Sequence, residues 1–221
     1  MTTSDGPLTR RPVPFVPAAF YPIIDTDHRV GPPAHIIHGV LEAGAPWLQL
    51  RCKGTPASSF LAFALAVVRD AAAAGAHVIV NDRLDVALAS GAAGVHLGQE
   101  DLPLATARRL AGDRMVIGVS THDVAEARAA ADGGADYVGF GPMFATASKK
   151  DAQQPRTLDA LRRVRDAVGI PIVVIGGITP QTAPELLAAG ADAVAMIGAL
   201  AHAPDVVAFT SRLLALERRP R

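Results

Sequence analysis

Two carboxylates follow neighbouring short apolar runs near the middle of the sequence. Asp82 comes after the run 78–80 and Asn81, and Asp101 comes after the run 94–98. A segment with helical periodicity separates the two runs, which predicts two adjacent parallel strands. Their carboxyl ends then lie side by side. Two carboxylates in that position suit a hard divalent cation such as Mg²⁺.

A second interpretation of Asp82 and Asp101 needs no metal. Aspartate is a favoured helix N-cap, and a helical segment follows each of these residues. The polar residues at the ends of the other predicted strands favour the metal site over the pair of caps.

The elements around these carboxylates repeat one pattern of helix, glycine and short strand. Glycines between a helix and the next strand end the helix and start a tight turn; they are Gly44, Gly75, Gly91, Gly134 and Gly190. The predicted strands are 19–24, 47–51, 78–80, 94–98, 115–119, 136–140, 171–175 and 193–197. The predicted helices between and after them include 32–43, 56–74, 103–111, 123–132, 157–168, 180–189 and 204–216.

This alternation leaves two folds, an open doubly wound sheet and a closed (β/α)₈ barrel. An open sheet of that kind usually carries a glycine-rich phosphate loop after its first strand, and 25–27 is Asp-Thr-Asp. Eight units without a break in composition favour a single (β/α)₈ TIM barrel. We expect the barrel to span residues 18–217, after a flexible leader of residues 1–17.

The composition excludes several classes of protein. The chain has 221 residues, 50% of them hydrophobic, and a formal net charge of +0, which argues against a nucleic-acid binder. Its one cysteine, Cys52, cannot form an intrachain disulfide. No apolar run is long enough to cross a bilayer, and the N-terminus has no apolar signal core. We expect a cytoplasmic protein with small-molecule substrates.

Cations and amides gather where the predicted strands end. Gln49, Arg51 and Lys53 occupy alternate positions along the second strand and point the same way. Together they form a candidate binding site for an anion and a heterocycle. The alternative is an ordinary strand-end arginine and a solvated lysine. After the fifth strand, Ser120 and Thr121 are candidates for either a site or a helix cap, and for Thr121 the cap is favoured.

Two later segments predict phosphate binding. The loop 141–155 combines hydroxyls with lysines and is long enough for a lid, although a solvated basic loop is the alternative. Gly176, Gly177 and Gly198 follow strands seven and eight, the recurrent phosphate position of these barrels. The neutral glycine site and a separate cation-rich region with the predicted metal indicate two phosphorylated substrates, a monophosphate and a diphosphate. No nucleophile set is evident, which fits departure of a diphosphate leaving group.

At these residues the chain resembles the thiamine phosphate synthase family. The matching segments, in order, are QLRCK (49–53), VNDRLDVALASGAAGVHLGQEDLP (80–103), IGVSTHD (117–123), DYVGFGPMFATASKKDA (136–152), VIGGI (174–178) and GADAVAMIGAL (190–200). The resemblance implies condensation of an aminopyrimidine methyl diphosphate with a thiazole phosphate, giving thiamine phosphate and pyrophosphate. It also implies a dissociative mechanism, in which the diphosphate leaves first and the thiazole nitrogen captures the resulting cation.

The resemblance assigns roles residue by residue. Asp82 and Asp101 would hold Mg²⁺, and the catalytic groups would be Arg51, Lys53, Ser120 and Lys149. The pyrimidine diphosphate would be bound by Gln49, Arg51, Lys53, Asn81, Ser120 and Lys149. The thiazole phosphate would be bound by Thr146, Ser148, Gly177, Ile197 and Gly198.

Two positions depart from the family pattern. Cys52 stands where the family usually has Glu, and by alternation it faces away from Arg51 and Lys53. Gly198 stands where the family usually has Ser, which removes one hydroxyl from the predicted phosphate-binding site. The competing interpretations are a thiazole phosphate tautomerase-like paralogue and a non-catalytic phosphate-binding barrel. The tautomerase-like group tends to lack the diphosphate-binding residues that are present here.

Overall fold

The computed structural model describes residues 13–26, 33–146 and 154–218. Within them the strands are β1 (Phe20–Asp25), β2 (Trp47–Arg51), β3 (His77–Asn81), β4 (Gly94–Leu97), β5 (Val116–Thr121), β6 (Tyr137–Phe140), β7 (Ile172–Val174) and β8 (Ala193–Met196). The helices are α1 (Pro33–Glu42), α2 (Ala57–Ala73), α3 (Leu84–Ser90), α4 (Leu104–Ala111), α5 (Val124–Asp132), α6 (Leu158–Ala167), α7 (Ala183–Ala188), α8 (Gly198–Ala201) and α9 (Val206–Leu214), with a 3-10 turn at Gly112–Arg114.

The strands form a closed parallel barrel, so the predicted (β/α)₈ fold is confirmed. Each strand pairs with its neighbour in sequence, and β8 closes onto β1 with Tyr21 opposite Ala195. The strands are covered on both sides by helices and barrel interior and are mostly buried; the apolar run Ile172–Val174 is buried at every residue. Among the described residues, no helix is both long and apolar enough to cross a membrane.

Two aspartates tie the amino-terminal ends of the strands together. The Oδ2 atom of Asp136 accepts hydrogen bonds from the Ile117 backbone N–H and from Arg108, each at 2.7 Å. The Oδ2 atom of Asp192 accepts a hydrogen bond from the Ile172 backbone N–H at 2.8 Å. Both aspartates belong to Gly-Ala-Asp turns that lead into a strand. These contacts lie at the end of the barrel opposite to the strand ends with the candidate chemistry.

The bottom of the barrel interior is filled by aromatic rings. Phe15 is 6% exposed and stacks on Tyr137 with ring centroids 4.1 Å apart, and it also contacts Tyr21 and Trp47. Phe15 falls within the segment expected to be a flexible leader, so the packed part of the chain begins before residue 18. Residues 1–12 lie outside the described residues.

One helix start and one short helix differ most from the sequence prediction. α7 begins at Ala183 instead of residue 180, because Thr179 and Thr182 form a hydrogen-bonded turn. The Thr179 N–H donates to the Thr182 hydroxyl, and the Thr182 N–H and hydroxyl both donate to the Thr179 carbonyl. The short helix α8 was not predicted, because four residues between a strand end and the next helix carry no periodicity.

Candidate active site

A cavity of about 670 Å³ opens at the carboxyl ends of the strands. This is where barrel enzymes place their sites, because the eight loops after the strands converge there. Most of the residues predicted from sequence line this cavity: Arg51, Lys53, Asn81, Asp82, Asp101, Ser120, Thr146, Gly177, Ile197 and Gly198. Ser148 and Lys149 lie outside the described residues. Gln49 lies deeper, buried inside the barrel, where its amide contacts the Tyr21 hydroxyl.

The side chains of Asp82 and Asp101 meet in this cavity. Burial, a hydrogen bond to Asp101 and the Asp101 charge together raise the pKa of Asp82 to about 6. Lys53 lies nearby, with its Nζ 3.8 Å from Asp82 Oδ2, and opposes the shift. The Asp82 backbone also has a φ of 65°, an uncommon conformation for a residue other than glycine. Such strain and carboxylate crowding are typical of functional sites.

The alternative of two helix caps is not what the structure shows. The residues that precede α3 and α4 are Arg83 and Pro103, and neither helix has a side-chain cap. Asp101 instead accepts a hydrogen bond from the Gly98 N–H at 2.7 Å. Thr121 is not a cap either, because its hydroxyl donates to the Gly139 carbonyl and Asp123 caps α5.

The carboxylate pair fits a magnesium ion. In the described part of the chain, no cluster of three or more His, Cys, Asp and Glu side chains is placed to hold a metal. Mg²⁺ needs no such cluster, since it commonly uses one or two carboxylates and completes its shell with water and substrate phosphate. A cation held by Asp82 and Asp101 would offset the repulsion between the carboxylates, which adds to the effect of burial in raising the Asp82 pKa.

Arg51 is held by a residue that sequence reasoning missed. Its guanidinium forms an ion pair with Asp25, and both side chains are almost fully buried. Asp25 ends β1 and is the register partner of Arg51 on β2. A carboxylate at the end of the first strand was the available signal, but only strand pairing shows which cation it meets. Asp25 aligns the arginine at the floor of the cavity.

The two glycines after β7 line the cavity and also allow a close backbone contact. Gly176 and Gly177 have φ values of 101° and 62°. A Cβ on Gly176 would come within 2.5 Å of Pro142, and one on Gly177 within 2.5 Å of the Ala145 carbonyl. The glycines thus let the segment after β6 lie against the end of β7, where the Phe144 N–H donates to the Gly176 carbonyl at 2.9 Å. That contact places Thr146 at the cavity.

The end of the cavity beside β8 contains a histidine that was not predicted. His202 lines the cavity, and its Nδ1 lies 2.7 Å from the Gly198 carbonyl oxygen, one turn back. A Cβ at Gly198 would meet no atom within 4 Å, so the position has room for a side chain. Cys52 is buried in the core cluster, as its alternation with Arg51 predicted.

The fold and the cavity first define a class, a barrel enzyme with charged and polar groups gathered at the carboxyl ends of its strands. Residues 20–200 match the family described as thiamine monophosphate synthase. The chain therefore belongs to that family, whose members form thiamine phosphate in thiamine biosynthesis. The resemblance seen in the sequence motifs is confirmed.

Individual relatives agree. The chain is 47% identical over 202 residues to the thiamine-phosphate synthase of Moorella thermoacetica, covering 91% of this chain and 96% of the relative. It is also 47% identical over 189 residues, 86% of this chain, to the bifunctional protein ThiM/ThiE of Symbiobacterium thermophilum, of whose length it spans 39%.

Solved structures agree as well. The thiamine phosphate pyrophosphorylase of Pyrococcus furiosus superposes with a TM-score of 0.80 at 34% identity, covering 88% of this chain and 93% of that one. Tryptophan synthase of Mycobacterium tuberculosis, at 18% identity and a TM-score of 0.65 over 90% of this chain and 92% of that one, shares the fold alone.

Proposed function

We propose that this chain condenses 4-amino-2-methyl-5-hydroxymethylpyrimidine diphosphate with thiazole phosphate, and that Mg²⁺ assists the reaction. The observation that carries the proposal is the meeting of Asp82 and Asp101 in the cavity that also contains Arg51 and Lys53. A carboxylate pair would repel a diphosphate unless a cation lay between them. Membership of the thiamine monophosphate synthase family supplies the reaction.

In the proposed reaction, the C–O bond between the pyrimidine methylene and the diphosphate breaks, and its electron pair leaves with the diphosphate oxygen. The thiazole nitrogen lone pair then forms the new C–N bond. Asp82 and Asp101 would hold Mg²⁺, which supplies charge neutralisation for the leaving diphosphate. Arg51 and Lys53 add two positive charges at the cavity, and Arg51 is held in place by Asp25.

The remaining predicted residues divide between the substrates. Asn81 and Ser120 lie at the ends of β3 and β5 and line the cavity, where they can hydrogen-bond the pyrimidine. Lys149 is assigned to the diphosphate and Ser148 to the thiazole phosphate on the family motif. Thr146, Gly177, Ile197 and Gly198 border the part of the cavity assigned to the thiazole phosphate. A cytoplasmic location stays a prediction from the sequence.

The direct test supplies both substrates to the purified protein and measures thiamine phosphate and pyrophosphate, with Mg²⁺ and after its removal by EDTA. We expect equal amounts of both products, and only with the metal. Synthesis that is unaffected by EDTA would contradict the metal role. No product with either treatment would contradict the synthase reaction and favour the tautomerase-like or binding-protein interpretation.

Replacing Gly198 with Ser is expected to lower the KM for thiazole phosphate by about three- to tenfold. One added hydrogen bond to a phosphate oxygen is worth about 1 kcal/mol, and the Gly198 site has room for the new side chain. Steady-state kinetics with thiazole phosphate as the varied substrate measure the change. Gly198→Ala is the matched control, since it adds the Cβ without the hydroxyl. An unchanged KM for Gly198→Ser, or an equal change for Ala, would contradict the prediction.

A further inference from the structure

A line of polar side chains crosses the barrel interior beneath the cavity. The Gln49 amide N–H donates to the Tyr21 hydroxyl at 3.4 Å, and the Tyr21 and Tyr137 hydroxyl oxygens are 3.3 Å apart. His96 then lies between Tyr137 and Ser120, with Nδ1 2.9 Å from the tyrosine oxygen and Nε2 2.9 Å from the serine oxygen. We refer to Gln49, Tyr21, Tyr137, His96 and Ser120 as the buried polar chain.

The barrel reserves space for the two central rings of this chain. A Cβ at Gly118 on β5 would lie 2.1 Å from the Tyr137 ring, and one at Gly139 on β6 would lie 2.9 Å from the His96 ring. Side chains at those two positions would displace Tyr137 and His96. Two strands therefore carry glycine where the rings cross the barrel, which indicates that the placement of the rings is built into the fold.

The hydroxyl and imidazole protons of the buried polar chain can be assigned by counting hydrogen-bond donors. Gln49 can only donate through its amide nitrogen, so Tyr21 accepts that bond and has its own proton left to give. Among the described residues, the Tyr21 hydroxyl contacts the Gln49 amide and the Tyr137 hydroxyl, so the Tyr21 proton goes to Tyr137. Tyr137 then donates to His96 Nδ1, and the His96 Nε2–H donates to Ser120.

Hydrogen bonds donated in the opposite direction, from Ser120 toward Tyr21, leave one buried donor without an acceptor. If Ser120 donated to His96 Nε2, then His96 Nδ1–H would donate to Tyr137 and Tyr137 to Tyr21. The Tyr21 oxygen would then accept from both Gln49 and Tyr137, and its own proton would be left without an acceptor within the described part of the chain. An unmet buried donor costs about 1–3 kcal/mol, so the first direction is favoured.

Both tyrosines keep their protons at working pH. Burial raises the pKa of Tyr21 and of Tyr137 above the ordinary tyrosine value. Each is therefore a hydroxyl that accepts one hydrogen bond and donates another, as the assignment requires.

We propose that the buried polar chain is a positioning device: it holds His96 as the Nε2–H tautomer, which occupies an acceptor site of Ser120 and leaves the Ser120 hydroxyl to donate to the first substrate. Tyr21, Tyr137 and His96 act through Ser120 and are positioning residues. The Ser120 hydroxyl donates to an acceptor atom of the pyrimidine diphosphate, either a ring nitrogen or a diphosphate oxygen. This inference rests on the proposed function for the identity of the substrate.

The tautomer can be measured without any activity. In ¹⁵N-labelled protein at pH 8, the His96 signals, assigned by their loss in His96→Gln, should show a protonated Nε2 and an unprotonated Nδ1. Tyr137→Phe removes the donor to Nδ1 and should shift His96 toward the other tautomer. A wild-type His96 with its proton on Nδ1 would overturn the proposal, even if the protein makes thiamine phosphate.

A double-mutant cycle tests the action through Ser120. Tyr137→Phe is expected to lower kcat/KM for the pyrimidine diphosphate about tenfold in the wild-type background and less than about twofold in Ser120→Ala. The KM for thiazole phosphate should stay within about twofold. Additive losses would show that Tyr137 acts through the general packing of the core and would overturn the proposal.

Phe15→Leu is the matched control for packing. Phe15 stacks on the same Tyr137 ring at 4.1 Å but is not a member of the buried polar chain. Its effect on activity should be equal with and without Ser120→Ala. If the wild-type protein makes no thiamine phosphate, the proposed function fails, and the tautomer measurement still decides the direction of the hydrogen bonds.

Discussion

Replacing Asp82 with Asn is expected to reduce Mg²⁺-dependent thiamine phosphate formation by about 100-fold or more, because one of the two carboxylates assigned to the metal becomes a neutral amide. Asn keeps the shape of the side chain and tolerates the φ of 65° at this position, whereas Ala would add backbone strain. Initial rates across a Mg²⁺ titration measure the loss.

Asp85→Asn is the matched control for Asp82→Asn. Asp85 lies three residues further along, its side chain is 63% exposed, and it pairs with Arg83 on the surface. Its substitution should change the rate by less than about twofold. If Asp82→Asn retained more than half of the wild-type rate, the assignment of Asp82 to the metal would be wrong.

The same substitution should stabilise the metal-free protein at pH 8. Between about pH 4 and pH 6 the folded protein holds a proton on Asp82 that the unfolded chain has released, because burial and Asp101 raise this pKa to about 6. The contribution of Asp82 to the free energy of unfolding is therefore full below pH 4 and is lost as the pH rises through 6. Asn at this position never acquires the charge, so the loss is avoided.

Denaturant unfolding in EDTA at pH 4.5 and pH 8 measures this effect. We expect Asp82→Asn to exceed wild type by about 1–3 kcal/mol at pH 8 and by about a third of that margin at pH 4.5, where only part of the loss has occurred. With saturating Mg²⁺ at pH 8 the advantage should shrink, since the metal stabilises only the wild-type site. A variant that is less stable than wild type at pH 8 would contradict the raised pKa of Asp82.

Replacing Asp25 with Asn is expected to destabilise the protein by about 3–5 kcal/mol, because it leaves the Arg51 guanidinium buried without its ion-pair partner. For a domain of this size, that corresponds to a fall in Tm of about 10 °C. Activity should fall as well, since Arg51 loses the contact that aligns it at the cavity. Thermal unfolding and kcat/KM for the pyrimidine diphosphate measure the two effects.

Two comparisons separate the buried pair from a general effect of charge. Asp159→Asn breaks an exposed pair with Arg162 and should cost less than about 0.5 kcal/mol. The double variant Asp25→Asn with Arg51→Met removes both charges and should be more stable than Asp25→Asn alone, while remaining inactive. A double variant that is less stable than the single one would contradict the cost of an unpaired buried arginine.

The sequence by itself determined the elements and the end of the barrel at which the chemistry lies. Glycines between helices and strands, and short apolar runs that stop at polar residues, predicted the strands of the barrel within one or two residues. These signals are local, because caps, turns and periodicity act over a few neighbouring residues. Since parallel strands expose all their carboxyl ends on one face, the polar strand ends could be grouped from the order of the elements alone.

Only the tertiary structure decided which of those side chains touch. Alternation along β2 placed Gln49 and Arg51 on one side, but Gln49 lies two residues, about 7 Å, deeper and joins the buried polar chain instead of the cavity wall. The contact of His96 with Tyr137 spans 41 residues, and that of Tyr21 with Tyr137 spans 116.

The ion pair of Arg51 with Asp25 likewise depends on the register of β1 with β2. Such contacts form only when the barrel closes and its stagger sets the depth of each residue, and no local pattern in the sequence records that depth.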